Sequence, residues 1–272
     1  MRTPFHNCLR SALLVPLLLT GAFASAQPGT DPSNEPLDKV LDRVTRHVSD
    51  FLDLFSDVKC TEQVTQEKLK PNGKVELAEQ STYDYLVILT NAGGELSLDE
   101  SRLPLKQATA DRKRDISMLL SNGFATLFLV FHPYYANSFE FADAGTELLD
   151  GHNTRKIHFQ HIRNTRSIAA LALRGREYPL ELSGTAWVDP ETGDMLRIEA
   201  GIASTLEDIR MKSLQSQVTF APVAFHKDDP AHWFPTEAVV EVETPKQHWR
   251  NTHRFSAYKQ FSVTTEEHVA QK

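Results

Sequence analysis

GTAWVDPETGDMLRI, residues 184–198, predicts two β-strands joined by a tight turn. Trp187 and Val188 lead into the turn, and an apolar return strand begins at Met195. Between them, DPETGD at 189–194 carries Asp, Pro and Gly, residues that favour turns for different conformational reasons. A short turn of this kind joins antiparallel neighbours, so the sequence predicts a β-hairpin here.

Further strands are predicted on both sides of this hairpin. Residues 58–70 and 75–90 are joined by the hairpin signal PNGK at 71–74, and a turn at 91–94 leads to a strand near 95–103. Towards the C-terminus the predicted strands are Phe139–Leu149, Thr154–Ile162, Leu180–Val188, Met195–Ser204, Gln217–Phe225, Ala238–Glu243 and Trp249–Phe261. The short turns between successive strands predict an antiparallel sheet.

Two segments have helical periodicity instead. Leu37 to Phe55 predicts an amphipathic helix, whose apolar stripe either packs on the sheet or forms a dimerising coiled coil. Residues 107–131 predict a second helix, broken or kinked at Asn122-Gly123 and ended by His132-Pro133. Its second half is apolar on every side, so it should be buried. The fold class is α+β: a large curved antiparallel sheet with an N-terminal helix and a central helical insertion.

The N-terminus predicts a secretory signal peptide at residues 1–26. Arg2 and Arg10 form a positive region, residues 11–23 are almost wholly apolar, and Ala24-Ser25-Ala26 is a typical cleavage site. The apolar run is shorter than the roughly 20 residues of a membrane span. We therefore expect a flexible leader at 27–36, a single domain at 37–272 and a periplasmic location without an integral membrane span. An uncleaved N-terminal anchor is the alternative.

The composition of the chain excludes several functional classes. With 40% hydrophobic and 24% charged residues among 272, the chain is predicted to be globular. A net charge of −7 argues against nucleic acid as a partner. The two cysteines exclude a disulfide-rich scaffold, and Cys60, which remains after cleavage, is predicted to be a buried apolar side chain.

Motifs for catalysis or metal binding are not found in the sequence. It has no nucleophile elbow, phosphate-binding glycine loop, paired-cysteine motif or His-Glu-x-x-His, so we predict no catalytic residue, no cofactor and no enzymatic activity. One predicted loop, residues 226–235, brings together four residues that suit a metal: His226, Asp228, Asp229 and His232. A solvated polar turn is the preferred explanation of these residues, so no metal site is predicted.

The candidate binding site is the aromatic segment FATLFLVFHPYY at 124–135. Such a segment either fills a core or lines a lipid-sized cavity at the mouth of a half-closed sheet. The predicted ligand-binding residues are Phe124, Leu127, Phe128, Phe131, Tyr134 and Tyr135. The arginine-rich stretch 163–176 is predicted to be a loop, which either meets an anionic headgroup or is a soluble surface.

The layout resembles the superfamily of outer-membrane lipoprotein-sorting proteins, which includes the carrier LolA, the receptor LolB and the stress regulator RseB. The resemblance rests on the strand–turn–strand at 184–198 and on LLDGH at 148–152, which precedes another strand. It implies an incomplete β-barrel with helices on its concave side, which binds acyl chains or a lipidated partner without catalysis.

The sequence therefore predicts a non-catalytic periplasmic binding protein that buries an apolar ligand in a concave β-sheet. Its partners would be a lipid or lipidated protein and, in addition, an envelope protein. Two alternatives remain open at this point: a protein-interaction or stress-sensor module of the same fold, and a metal-dependent envelope hydrolase.

Overall fold

The computed structural model describes residues 35–92, 94–106, 124–173, 176–204 and 210–261. The predicted signal peptide and the first part of the central insertion lie outside these ranges. The helices are α1 (Leu37–Ser56), a 3₁₀ helix at Phe124–Phe131, called the 3₁₀ segment below, and α2 (Pro133–Ala136). The strands are β1 (Val58–Leu69), β2 (Val75–Ala92), β3 (Glu95–Lys106), β4 (Phe139–Leu149), β5 (His152–His161), β6 (Ala170–Leu173), β7 (Arg176–Pro179), β8 (Leu182–Val188), β9 (Met195–Ile202), β10 (Ser213–Val223), β11 (His232–Glu243) and β12 (His248–Gln260).

Ten of these strands form one open antiparallel sheet. Their order is β3-β2-β1-β12-β11-β10-β9-β8-β5-β4, and every neighbouring pair is antiparallel. The remaining two, β6 and β7, pair only with each other. The predicted fold class, a large antiparallel sheet with an N-terminal helix, is confirmed.

Helix α1 packs on the inner face of this sheet, as one of the two interpretations of its apolar stripe predicts. Its buried residues recur three and four apart, the spacing that puts side chains on one face of a helix. They are Val40, Val44, Val48, Phe51, Leu52 and Phe55. All six belong to the hydrophobic core of the chain, so the stripe is covered by the sheet and the 3₁₀ segment.

The inner face of the sheet is built from alternate residues of each strand. On β8 these are Leu182, Ala186 and Val188, all buried, with Gly184 in the same row. Gly184 keeps this row close-packed, because a Cβ there would lie 2.6 Å from Cζ of Phe159 on the neighbouring strand. The two-residue period of the sequence thus places an apolar row of β8 on the inner face of the sheet.

The turn at 189–194 fixes α1 against the end of the β8–β9 hairpin. Nε2 of His47 lies 3.0 Å from the Asp194 carboxylate, and the Arg43 guanidinium donates a hydrogen bond to the carbonyl of Pro190. Gly193 has a φ of +85°, and a Cβ there would lie 3.1 Å from the Arg43 carbonyl oxygen. Only glycine suits both the conformation and the space.

The helical insertion predicted at 107–131 is helical over 124–131, the part that the structure describes, but it is not an α-helix. Residues 124–131 form a 3₁₀ helix whose backbone is non-helical at Thr126, with φ −107° and ψ 16°. The 3₁₀ segment ends at Phe131, before His132-Pro133 as predicted, and α2 begins at Pro133, because the His132 side chain accepts a hydrogen bond from the backbone N–H of Tyr134. Pro133 suits this first helical position, where a missing N–H costs nothing. The prediction of burial for 124–131 is confirmed for residues 125–131.

Two predicted loops contain strand residues. Strand β11 begins at His232, inside the loop expected at 226–235, and it accommodates Pro235 at a register shift opposite Phe220. A proline is tolerated at such a bulge because no ladder hydrogen bond is required of it. The arginine-rich stretch predicted as a loop contains part of the β6–β7 hairpin.

Candidate ligand-binding site

Four phenylalanines from three different elements meet at the centre of the inner face. Phe51 and Phe55 come from α1, Phe128 from the 3₁₀ segment and Phe234 from β11. The ring centroid of Phe51 lies 5.1 Å from that of Phe128 and 5.1 Å from that of Phe234, both edge-on. Phe55 lies 6.1 Å from Phe128 and 5.8 Å from Phe234. These are favourable aromatic distances, so the cluster joins helix, segment and sheet.

The other buried residues of the 3₁₀ segment extend this cluster along the sheet. Phe131 is fully buried, with its ring centroid 5.1 Å from Phe141 and 6.3 Å from Phe159. Leu127 is 3% exposed and belongs to the same core. The structure therefore brings three predicted site residues, Leu127, Phe128 and Phe131, into one apolar interior that their own side chains fill.

The two predicted tyrosines lie apart from this interior. Tyr134 lies at the surface, where its hydroxyl donates to Glu95 and its ring stacks under the Arg166 guanidinium at 3.7 Å. Glu95, as acceptor of that hydrogen bond, raises the pKa of Tyr134. Tyr135 is partly buried against the core. Phe124 begins the 3₁₀ segment, but its side chain lies outside the described part.

The sheet also carries a groove on its outer face, opposite to α1. It has a volume of about 540 Å³ and crosses β8 to β11. Its lining includes the outward-facing side chains Ser183, Thr185, Glu199, Gln215, Gln217 and Glu241. None of the six predicted ligand-binding residues lines this groove, and an acyl chain lying in it would cover polar side chains without giving them hydrogen bonds.

A buried polar network, which the sequence analysis missed, adjoins the apolar interior. Glu62 of β1 is completely buried and accepts hydrogen bonds from Arg102 Nε at 2.6 Å and from His253 Nδ1 at 2.8 Å. Arg102 Nη1 donates to Glu100 at 2.8 Å, and the Tyr85 hydroxyl donates to the same carboxylate at 2.9 Å. The signal in the sequence is Glu62 itself, because it occupies an inward position of β1 between Cys60 and Val64.

The network determines the ionisation states of Glu62 and Tyr85. Burial alone would raise the pKa of Glu62, but the hydrogen bonds from His253 and Arg102 outweigh it and hold the pKa below its ordinary value. Burial also raises the pKa of the Tyr85 hydroxyl far above its usual range, with the Glu100 carboxylate adding to the effect. Glu62 therefore stays ionised and Tyr85 neutral at physiological pH.

Cys60 is buried, as predicted, and its thiol is not activated. Burial raises the pKa of Cys60 to about 12, against a smaller opposite effect of its hydrogen bond with Tyr258. The thiolate is the nucleophilic form of cysteine, so this thiol stays unreactive at neutral pH.

The histidine loop does not assemble as a metal site in the structure. The backbone N–H of His226 donates to the Asp229 carboxylate at 3.1 Å, while His232 lies on β11. Within the described ranges there is no cluster of three or more His, Cys, Asp or Glu side chains able to hold a metal ion.

None of the described helices has both the length and the apolarity to cross a bilayer.

Fold and site together define an open antiparallel β-sheet protein whose inner face holds an apolar interior filled by a central insertion. Among the solved structures that match, a DUF1329 family protein from Desulfovibrio piger has 12% identity and a TM-score of 0.43, covering 85% of this chain and 96% of its own. An outer membrane lipoprotein-sorting protein domain from Vibrio parahaemolyticus has 11% identity and a TM-score of 0.39, covering 85% and 96%. LprF from Mycobacterium bovis has 9% identity and a TM-score of 0.26, covering 85% and 98%.

The second of these structures carries the description of the superfamily that the sequence resembles. No family model and no curated protein matches the chain. Because the identities are 12% or less and the TM-scores lie below 0.5, what this chain binds has to be inferred from its own residues.

Proposed function

We propose that this protein is a non-catalytic periplasmic binding protein that holds an acyl chain, as a lipid or a lipidated protein, between the 3₁₀ segment and the inner face of the sheet. The observation that carries the proposal is the 3₁₀ segment itself. Residues 125–131 are buried, yet the backbone of the segment takes no part in the sheet ladder. Its buried side chains belong to the core and pack it against α1 and the strands.

The local backbone supports a segment that can lift from the sheet. A 3₁₀ helix has poorer hydrogen-bond geometry than an α-helix, and runs of more than three or four residues are uncommon. Here the helix runs for eight residues and is interrupted at Thr126. Little regular backbone structure is therefore lost when the segment moves.

The chemistry of the interior defines the ligand. The surfaces facing each other are aromatic and aliphatic, from Phe51, Phe128 and Phe234 to Phe131 and Phe159. If the segment lifts, an apolar chain can slide beneath it, with Leu127, Phe128 and Phe131 as one wall. The favourable free energy of binding comes from removing apolar surface from water. It amounts to roughly 25 cal/mol per Å² before the entropic cost of ordering ligand and protein is subtracted.

The same proposal places the protein in the cell envelope, exported through cleavage after Ala26, with residues 37–272 as one binding domain. It assigns no catalytic residue. The Glu62–His253 pair has the hydrogen bond of a general base, but the thiol nearest along β1, Cys60, stays protonated.

The test is uptake of a fluorescent fatty acid by delipidated protein. Phe128→Ala removes apolar wall from the site, so we expect uptake to weaken by roughly ten-fold or more. The matched control is Phe255→Ala, which truncates another core phenylalanine, 6% exposed, whose ring lies 5.3 Å from that of Tyr85. The control should lose stability and keep uptake.

Two results would contradict the proposal. If both variants bind the probe equally well, Phe128 only fills the core, and the expected cost is about 3–5 kcal/mol of stability alone. If folded wild-type protein binds none of several acyl probes at micromolar concentration, the carrier function fails and the protein-interaction alternative takes its place.

A further inference from the structure

The groove on the outer face of the sheet, called the outer groove below, is deepened at Gly201. In the register of the sheet, Gly201 of β9 lies between Ser183 of β8 and Gln215 of β10, at a position that faces outward. The floor of the groove at this point is therefore bare backbone. A Cβ here would lie 2.9 Å from the Leu214 carbonyl oxygen, so any other residue would displace the backbone.

Two cross-strand rows of residues line the outer groove. The pairing of β8 to β11 puts the members of each row directly opposite one another. The first row contains Thr185, Glu199, Gln217 and Val239, and the second contains Ser183, Gly201, Gln215 and Glu241. All but the glycine and the valine carry a hydroxyl, amide or carboxylate group. A molecule lying in the groove thus meets hydrogen-bonding groups along both rows.

Arg197 holds two of these side chains in place. Its Nε lies 3.0 Å from Oε1 of Glu199, and its Nη2 donates a hydrogen bond to Oε1 of Gln217 at 3.2 Å. The guanidinium itself lies over the Trp187 ring, 5.1 Å from the centroid, and Trp187 Nε1 donates to Glu147 at 3.2 Å. Because these side chains are positioned before a ligand arrives, less ordering is needed when it binds.

The arrangement of donors and acceptors narrows the class of ligand. Gln217 uses its carbonyl oxygen for Arg197, so its amide nitrogen is the group that can donate to a ligand. The carboxylates of Glu199 and Glu241 can only accept. A ligand must therefore supply acceptors and donors side by side. Hydroxyl groups do so, because each can both donate and accept.

The charges around the outer groove favour an uncharged ligand. Glu199 is paired with Arg197, and Glu241 lies 3.8 Å from Arg250 and 3.6 Å from His248. A cationic ligand would approach the two arginines, and an anionic ligand would approach the two carboxylates. A neutral molecule with many hydroxyl groups avoids both repulsions and still satisfies the polar side chains.

We propose that the outer groove binds a neutral oligosaccharide. The three strand spacings from β8 to β11 give the groove a length of about 14 Å, which is longer than a single sugar ring. Its volume of about 540 Å³ is typical of a small-molecule site. This site lies on the opposite face of the sheet from the apolar interior and goes beyond the proposed binding of an acyl chain.

The first test is calorimetric titration of the protein with three neutral oligosaccharides: maltohexaose, cellopentaose and chitopentaose. We expect at least one of them to bind at millimolar concentration or below. Binding should also change the tryptophan fluorescence, since Arg197 joins Trp187 to the groove wall. If none of the three binds to folded protein at millimolar concentration, the proposal is wrong. An extended peptide that binds in the groove when no saccharide does would overturn it as well.

The second test removes hydrogen bonds without changing the size of a side chain. Gln215→Leu should weaken saccharide binding roughly three- to ten-fold, the usual contribution of one or two hydrogen bonds. The matched control is Gln63→Leu, because Gln63 is also exposed on a strand but does not line the groove. Equal affinities in the two variants would contradict the proposal.

The third test fills the outer groove. Thr185→Met replaces a hydroxyl with a longer apolar side chain and should abolish saccharide binding. Thr65→Met makes the same change at a half-buried threonine of β1, outside the groove, and should leave binding intact. Melting temperatures of both variants show whether they fold. A folded Thr185→Met variant that binds as well as Thr65→Met would rule the site out.

The two proposed sites can be tested separately. Uptake of the fatty-acid probe should be unchanged in Gln215→Leu and Thr185→Met, because neither residue reaches the apolar interior. Saccharide binding should in turn survive Phe128→Ala. Loss of one activity with the other intact therefore identifies which proposal has failed.

Discussion

Glu62 shows how one buried charge depends on its neighbours. Its carboxylate is fully buried and paired with Arg102 and His253. Glu62→Gln removes the negative charge and leaves two cationic or ionisable partners facing a neutral amide. Breaking a buried pair from one side typically costs about 3–5 kcal/mol, and we expect a loss of this size in denaturant unfolding near neutral pH.

An exposed pair supplies the control. Glu237 lies 2.9 Å from Arg254 at the surface, and Glu237→Gln should change stability by about 1 kcal/mol or less. Equal effects of the two substitutions would show that the Glu62 network adds nothing to the fold.

The same residue predicts a pH dependence. The folded pKa of Glu62 lies below its ordinary value of 4.5, so the folded state binds this proton less readily than the unfolded state. The stabilisation is therefore fully present above pH 4.5 and is lost as pH falls through the folded pKa. Denaturant unfolding of the wild type in acid should show this loss, and the difference between wild type and Glu62→Gln should shrink. A constant difference across the acid range would contradict the assignment.

At the scale of elements, a substitution at Gly193 tests whether the 189–194 turn holds α1 against the sheet. Gly193→Ala forces a left-handed conformation on alanine and places a Cβ 3.1 Å from the Arg43 carbonyl. Gly73→Ala has the same conformational cost, since φ is +77°, but meets nothing within 4 Å. We expect about 1–2 kcal/mol for Gly73→Ala and a larger loss for Gly193→Ala. Similar melting temperatures for the two variants would show that the turn does not hold the helix.

The elements also show what the sequence can predict. Alternating strands and Gly-containing turns identify nearly every strand, because each depends on neighbours in the chain. The 3₁₀ segment is apolar on every side, so periodicity cannot distinguish it from an α-helix, and no residue pattern marks the break at Thr126. The β6–β7 hairpin was missed because Gly175 and Pro179 favour a loop equally well.

The candidate site also has a part that the sequence predicts and a part that it does not. Apolar character alone places Leu127, Phe128 and Phe131 in the interior, where the structure has them. The Glu62–His253 pair joins residues 191 positions apart. No local pattern reveals such a pair, because it exists only once β1 and β12 have paired in their register.

On the scale of the whole molecule, that pairing governs the order in which the chain can fold. Strands β1 to β3 come first in the sequence, but within the sheet β1 is joined to the six strands from β11 to β4 only through β12, the last strand. Sheets closed by contacts between distant parts of the chain fold slowly, because a large loop must close before those contacts form. Without its final strand, the chain can pair its strands only as two separate sheets, one of three strands and one of six. If the chain is exported as proposed, it can thread through a translocation channel unfolded and complete its sheet only after β12 has crossed.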